Sequence, residues 1–219
     1  MKRNFIATSI IAAALTLAGA VSANAQSFVD NLSGEVTLGV NFSNYHNSED
    51  SNPSGVGFRV GAIGQYSIPQ VSGLYANAGL LLSLEGSHYT NETNVPMVGT
   101  IKTTATSSPW FLNIPIHAGY QLGITDDIAA FVEAGPFFGV GLFGNSTLKV
   151  NEEKTSNPVF DKDNGINRFQ FGLGIKLGVL AFHNYKVSFG WDWNFVDVVP
   201  SVDNAQSHNC GYLSLSYAF

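Results

Sequence analysis

The last eight residues, Tyr212-Leu213-Ser214-Leu215-Ser216-Tyr217-Ala218-Phe219, alternate without a break. Leu213, Leu215, Tyr217 and Phe219 fall on one side; Tyr212, Ser214, Ser216 and Ala218 fall on the other. A period of two sends successive side chains to opposite faces of a β-strand. The same rhythm runs through seven earlier stretches, so the strands are expected at 34–42, 57–66, 74–89, 110–122, 128–142, 166–179, 185–195 and 209–219. Their apolar faces are sets such as Val36/Leu38/Val40/Phe42, Leu112/Ile114/Ile116/Ala118/Tyr120 and Phe169/Phe171/Leu173/Ile175/Leu177. None follows a 3.6-residue spacing, which excludes amphipathic helices. The stretch 57–66 is the weakest, because Ile63 interrupts its small and polar face.

The connections alternate as well. Short ones fall at 67–73, 123–127 and 180–184; long polar ones fall at 43–56, 90–109, 143–165 and 196–208. Charged residues make up only 12% of the chain, and 23 residues are glycine. Few charges, long alternating strands and turns of two length classes are expected of an all-β fold: an eight-stranded, antiparallel, up-and-down transmembrane β-barrel with short periplasmic turns and long extracellular loops. Aromatic residues near the strand ends fit two interfacial girdles, with Tyr66, Tyr120, Tyr185, Tyr217 and Phe219 at one rim and Phe42, Trp110, Trp193 and Phe195 at the other. No segment after residue 25 has 18 consecutive apolar residues, which argues against transmembrane helices. A soluble barrel would require the apolar faces to point inward instead.

One domain is expected, a barrel over 26–219, preceded by a signal peptide over 1–25. Met1-Lys2-Arg3-Asn4 is a short basic start, Phe5 to Val21 is apolar, and Ala23-Asn24-Ala25 forms a small-residue cleavage site. Gln26 rather than cysteine follows it, against a lipoprotein. The formal charge of −6 argues against a nucleic-acid partner. The terminal strand, with Tyr217 and Phe219, resembles the assembly signal of bacterial outer-membrane barrels. The expected location is therefore the bacterial outer membrane, reached through the periplasm, with the barrel assembly machinery and outer-membrane lipid as partners. A thiol at Cys210, the single cysteine, is expected to be a small wall residue.

The face opposite the apolar one would point into the barrel. It carries Glu35, Arg59, Glu85, Glu133, Arg168, Lys176, Lys186 and Asp192, four acids and four bases, with His117 beside them. Buried charge is costly unless paired, so these residues are expected to form a salt-bridge network plugging the lumen. Strand direction separates them into a periplasmic group (Glu35, Lys176, Lys186) and an outer group (Arg59, Glu85, Arg168, Asp192), with Glu133 and His117 between. Hinging 110–122 and 128–142 at Thr125 sets Glu133 directly opposite His117. Hinging at Gln70 leaves Glu85 out of register with Arg59. Pro115 and Pro136 would lie at nearly the same height on neighbouring strands, where a shared bulge or local opening is expected.

The segments Asn113-Ile114-Pro115, Glu133-Ala134-Gly135-Pro136, Phe171-Gly172-Leu173-Gly174 and the terminal Leu215-Ser216-Tyr217-Ala218-Phe219, together with the signal peptide, make the chain resemble the small PorT-type outer-membrane β-barrel proteins of the Bacteroidota. The resemblance spans most of 33–219. It implies the barrel; it carries over no catalytic residue, because members are mostly of undefined function.

Chemistry is sparse. Lipid-modifying barrel enzymes need a nucleophile beside a base. The candidates here, Ser87-His88 and Ser207-His208, are adjacent pairs that alternation sends to opposite faces, although Glu85 could complete a triad through tertiary contact. Asp161-Lys162-Asp163-Asn164-Gly165 lacks the downstream glutamate of a Ca²⁺ loop, and the histidines are scattered, so no metal or cofactor is expected. The polar loops 43–56, 90–109 and 143–165 are the expected contacts for an extracellular partner. The leading expectation is a non-enzymatic outer-membrane barrel with a plugged polar interior. A loop-mediated adhesin is the first alternative and a lipid-modifying enzyme the second. Deleting Phe219 should lower the outer-membrane level and leave material in the periplasm, which cell fractionation would read.

Overall fold

The computed structural model describes residues 31–46, 53–95, 99–151, 153–160, 165–197 and 207–219. The expected signal peptide, residues 161–164 of the acidic run and the centres of the 43–56 and 196–208 connections lie outside them. The described chain forms ten strands: β1 Leu32–His46, β2 Ser54–Ser67, β3 Leu74–Leu84, β4 Ser87–Val95, β5 Gly99–Gly123, β6 Ile128–Val150, β7 Glu153–Pro158, β8 Phe169–Ala181, β9 Tyr185–Asn194 and β10 Ser207–Ala218.

Eight of the ten close a ring. Each strand pairs antiparallel with its neighbours in the order β1-β2-β3-β5-β6-β8-β9-β10, and β10 returns to β1. The closing seam runs from Glu35↔Ala218 to His46↔Ser207. Phe219 finishes it, accepting from Gly34 N at 3.1 Å and donating to Gly34 O at 2.8 Å. A closed ring leaves no strand edge unpaired.

The remaining two strands continue the wall past one rim. β4 follows β3 after a break at Glu85–Gly86 and pairs with the first half of β5, while β7 pairs with the last part of β6. Since β5 and β6 also pair over this height, β4-β5-β6-β7 form a four-stranded outer sheet. This corrects the expected loops at 90–109 and 143–165. Their Thr- and Ser-rich runs alternate too weakly to read as strands, yet they pair residue by residue, from Thr103↔Val150 to Pro109↔Gly144.

The wall faces outward with its apolar side. Leu38 is 60% exposed, Leu215 62%, Phe189 52% and Leu177 52%, which no water-facing wall of this extent would tolerate. Aromatic pairs mark its ends: Tyr185 and Tyr217 meet at 5.4 Å near the short turns, and Phe58, Trp110 and Phe143 form a belt near the outer sheet, at 5.1 and 5.7 Å.

The inside is not wholly polar, contrary to the simple two-face reading. Tyr75, Phe111, Phe131, Phe137 and Tyr212 are buried there with Ile63 and Leu81. Glycines on neighbouring strands make their room: a side chain at Gly119 would collide with the Tyr75 ring, and one at Gly190 with the Tyr212 ring. Large rings facing absent side chains fill a narrow barrel without strain.

Pro115 and Pro136 open the ladder rather than bulge it. Pairing of β5 with β6 lapses between Pro115↔Phe137 and Ala118↔Ala134 while the register is kept. The bulge lies higher, between Trp110 and Phe111, where Leu142 is the extra residue. A proline has no N–H to give the ladder, so an unpaired stretch suffices there. In detergent, the unboiled folded chain should migrate faster on a gel than the boiled one. Identical mobility before and after heating would contradict a closed, hydrogen-bonded ring.

Candidate functional site

Alternation on β1, β2, β6, β8 and β9 turns Glu35, Arg59, Glu133, Lys176, Lys186 and Asp192 into the ring, all at or below 9% exposure, and Glu85 and His117 join them. They gather in two groups. Near the short turns, Lys186 Nζ donates to Glu35 Oε2 at 2.6 Å and Gln65 Oε1 at 3.1 Å. Lys176 Nζ lies 2.7 Å from Glu133 Oε2 and 3.8 Å from Glu35 Oε1. The Tyr75 hydroxyl donates to Glu133 Oε1 at 2.9 Å. The β6–β8 register explains the strongest of these contacts, since Glu133 and Lys176 are directly opposed.

The second group centres on Arg59. Its Nε donates to Asn41 Oδ1 at 2.6 Å, both terminal nitrogens reach Asp192 Oδ2 at 3.3 Å, and its guanidinium stacks 3.6 Å over the Tyr212 ring. A planar guanidinium presents its edge to a carboxylate and its face to an aromatic ring at once. Glu85 lies above, accepting from Ser83 Oγ at 3.0 Å, Asn113 Nδ2 at 2.9 Å and Gln170 Nε2 at 3.0 Å.

Two placements differ from the sequence reading. Arg168 is exposed, not interior. It precedes the first residue of β8, where no ladder enforces alternation, and its guanidinium donates instead to Gly141 O at 3.0 Å and Leu142 O at 3.2 Å beside the bulge. Glu85, expected in the same outer group, has another neighbour. His208 is 3% exposed and its Nδ1 lies 3.4 Å from Glu85 Oε2. Alternation backward from Tyr212 through Cys210 points His208 inside, although it ends the long polar connection 196–208.

The second difference is register. Glu133 opposes Gly119, not His117, because the β5–β6 turn hinges one residue later than expected. A one-residue hinge shift moves the partner by two, which preserves the face. His117 Nδ1 consequently still lies 3.8 Å from Glu133 Oε2, along a diagonal. Arg59 opposes Ser83, so Glu85 is indeed off its register.

Between the two groups lies a cavity of about 30 Å³, lined by Asn77, Asn113, Pro115, His117 and Asp192 among others. It is large enough for water and too small for a solute. The proposed nucleophile pairs fare poorly as chemistry: His88 Nδ1 lies 3.1 Å from Thr106 Oγ1 on the exposed outer sheet, and His208 faces Glu85 within the packed interior. Among the described residues no group of three or more His, Cys, Asp or Glu could hold a metal ion. On the outer sheet Glu92 pairs with Lys102 at 2.8 Å, and that hydrogen bond and charge hold its carboxyl below the usual glutamate range.

A family model described as "Outer membrane protein beta-barrel domain" matches residues 24–199. No curated protein sequence matches the chain. Solved structures of similar fold include Neisserial surface protein A (14% identity, covering 84% of this chain and 95% of that one, TM-score 0.39). The attachment invasion locus protein Ail of Yersinia pestis is similar at 10% identity, over 85% and 98% of the two chains, with a TM-score of 0.38. OprG from Pseudomonas aeruginosa is similar at 8% identity, over 86% and 96%, with a TM-score of 0.39.

Removing Lys176 alone should cost about 3–5 kcal/mol, since it strands Glu133 and weakens Glu35. Lys176→Met with Glu133→Gln should cost less than the two single changes summed. Denaturant unfolding of the four proteins in lipid gives the cycle, and additive effects would mean the pair carries no coupling.

Proposed function

We propose a non-enzymatic scaffold role for this chain, which belongs to the outer membrane protein β-barrel family. The chain is an outer-membrane barrel among lipids, and the proposal concerns what that barrel does. The observation that carries it is the filled interior: the acids and bases meet one another, rings occupy the remaining space, and the central cavity is about 30 Å³. Such a lumen holds its wall rigid and passes no hydrated ion or solute. Eight of the nine interior residues named from sequence form, on this reading, a structural plug, and His208 joins them in place of the exposed Arg168.

The outer sheet supports the second half of the proposal. β4 to β7 raise a stiff polar surface beyond the membrane, and binding contacts concentrate on such extensions of a rigid scaffold. The partner would be met through 43–56, 90–109 and 143–165, as an adhesin would meet it. A PorT-type relationship, removal of 1–25 as a signal peptide, and recognition of Tyr217 and Phe219 by the assembly machinery belong to the same proposal. Phe219 supports it by hydrogen-bonding across the closing seam.

Purified protein in planar bilayers should give no stable open-channel conductance. Long, large openings would contradict the plug. A strain lacking the gene, compared with one whose 90–105 hairpin is cut to a short turn, should share the same loss of adhesion if the outer sheet is the working surface.

A further inference from the structure

The outer sheet has two faces, and the one continuous with the lipid-facing wall carries a site. Trp110 and Phe143 oppose each other across β5 and β6 and end the apolar wall, with Phe143 58% exposed. Beyond them on the same face come Ser108 and Asn145, then Thr106 and Thr147, then Thr104 and Lys149. β7 widens each row: Pro158 opposes Asn145, Ser156 opposes Thr147, and Lys154 opposes Lys149. The face encloses a groove of about 590 Å³, lined by Trp110, Phe143, Thr106, Asn145, Thr147 and Arg168. That volume is in the range of small-molecule sites, roughly 300–1,000 Å³.

The charges above the groove are unbalanced. Directly opposed like charges destabilise a strand pair, yet Lys149 and Lys154 are directly opposed. Glu92 stands on this face and is taken by Lys102. Glu153 opposes Val150 and therefore falls on the other face. Among the described residues of the outer sheet, no acid answers the lysine pair. An anion between the two ammonium groups would remove the repulsion.

We propose that this face binds a phosphorylated glycolipid of the outer leaflet. Its acyl root lies against Trp110 and Phe143. Its sugar meets the hydroxyl and amide row of Thr106, Asn145 and Thr147, and its phosphates meet Lys149 and Lys154. The direction of the site selects a lipid over a soluble polyanion: the face looks along the bilayer rather than away from it, and its lower edge is the aromatic belt. Heights agree. The aromatic belt marks the interface, and Lys149, six residues beyond Phe143 or roughly 20 Å of strand before tilt, stands above it, among the outer sugars and phosphates of such a lipid.

The test uses the whole barrel in phosphatidylcholine nanodiscs, incubated with lipopolysaccharide or with the same lipopolysaccharide after enzymatic dephosphorylation. Retained glycolipid is measured by mass spectrometry after washing. The protein should retain the phosphorylated form at least tenfold better. Lys149→Glu with Lys154→Glu, both exposed positions, should abolish that preference. Asn145→Trp, which fills the groove, should lower retention of both forms. Heat-modifiability of each variant checks folding. Equal retention of the two forms by the unaltered protein, or undiminished preference in the double variant, would overturn the proposal. So would complete competition by soluble polyphosphate, which would make the occupant a free anion and not a lipid.

Discussion

A backbone that crosses hydrocarbon must satisfy every N–H and C=O within itself, and the β1–β10 seam is where this chain meets that demand. Without it, β1 and β10 would present open edges to lipid. Everything else depends on the ring being shut. Closure sets the number of strands, the number of strands sets the bore, and a bore of eight strands must be filled by side chains. The seam also ties the two ends of the described chain together, so that Gly34 and Phe219 exchange both of their backbone hydrogen bonds.

Filling the bore poses an electrostatic problem, and the interior solves it twice by different means. Near the short turns, two lysines and two glutamates neutralise each other at distances from 2.6 to 3.8 Å. Near the outer rim Arg59 is the one permanent cation among the described interior residues, and it is committed to Asp192. Glu85 is instead held by three neutral donors and a histidine. Hydrogen bonds to a carboxylate compensate burial as a counter-charge does, and they fix its orientation more tightly. Glycines opposite Tyr75 and Tyr212 complete the packing, so the plug is part ionic and part aromatic.

The outer sheet gives the molecule its asymmetry. At the short-turn rim the wall stops soon after the aromatic residues. At the other rim β5 and β6 run on, and β4 and β7 join them, through a bulge at Leu142 that turns both Leu142 and Phe143 outward. Arg168 caps the carbonyls this bulge leaves, which is why it abandons the interior. One local irregularity thus removes a cation from the lumen and places it beside the groove on the lipid-facing side.

The alternation of apolar and polar residues by itself determined the eight wall segments, the face each turns to lipid, and the identity of nearly all the interior charges, because a period of two leaves a side chain only two directions. It could not determine partners. Which acid meets which base depends on register, and a single residue's difference in a turn moved Glu133 from opposite His117 to opposite Gly119. Nor could it find the outer strands: 90–109 and 143–165 carry Thr, Ser and Asn on both sides, with no apolar face to betray the period, and only pairing with β5 and β6 made them strands. His208 and Arg168 exchanged their expected places for the same reason. Both lie at strand ends: Arg168 precedes β8, where no ladder enforces alternation, while His208 continues the inward set of Tyr212 and Cys210 at the edge of the long 196–208 connection.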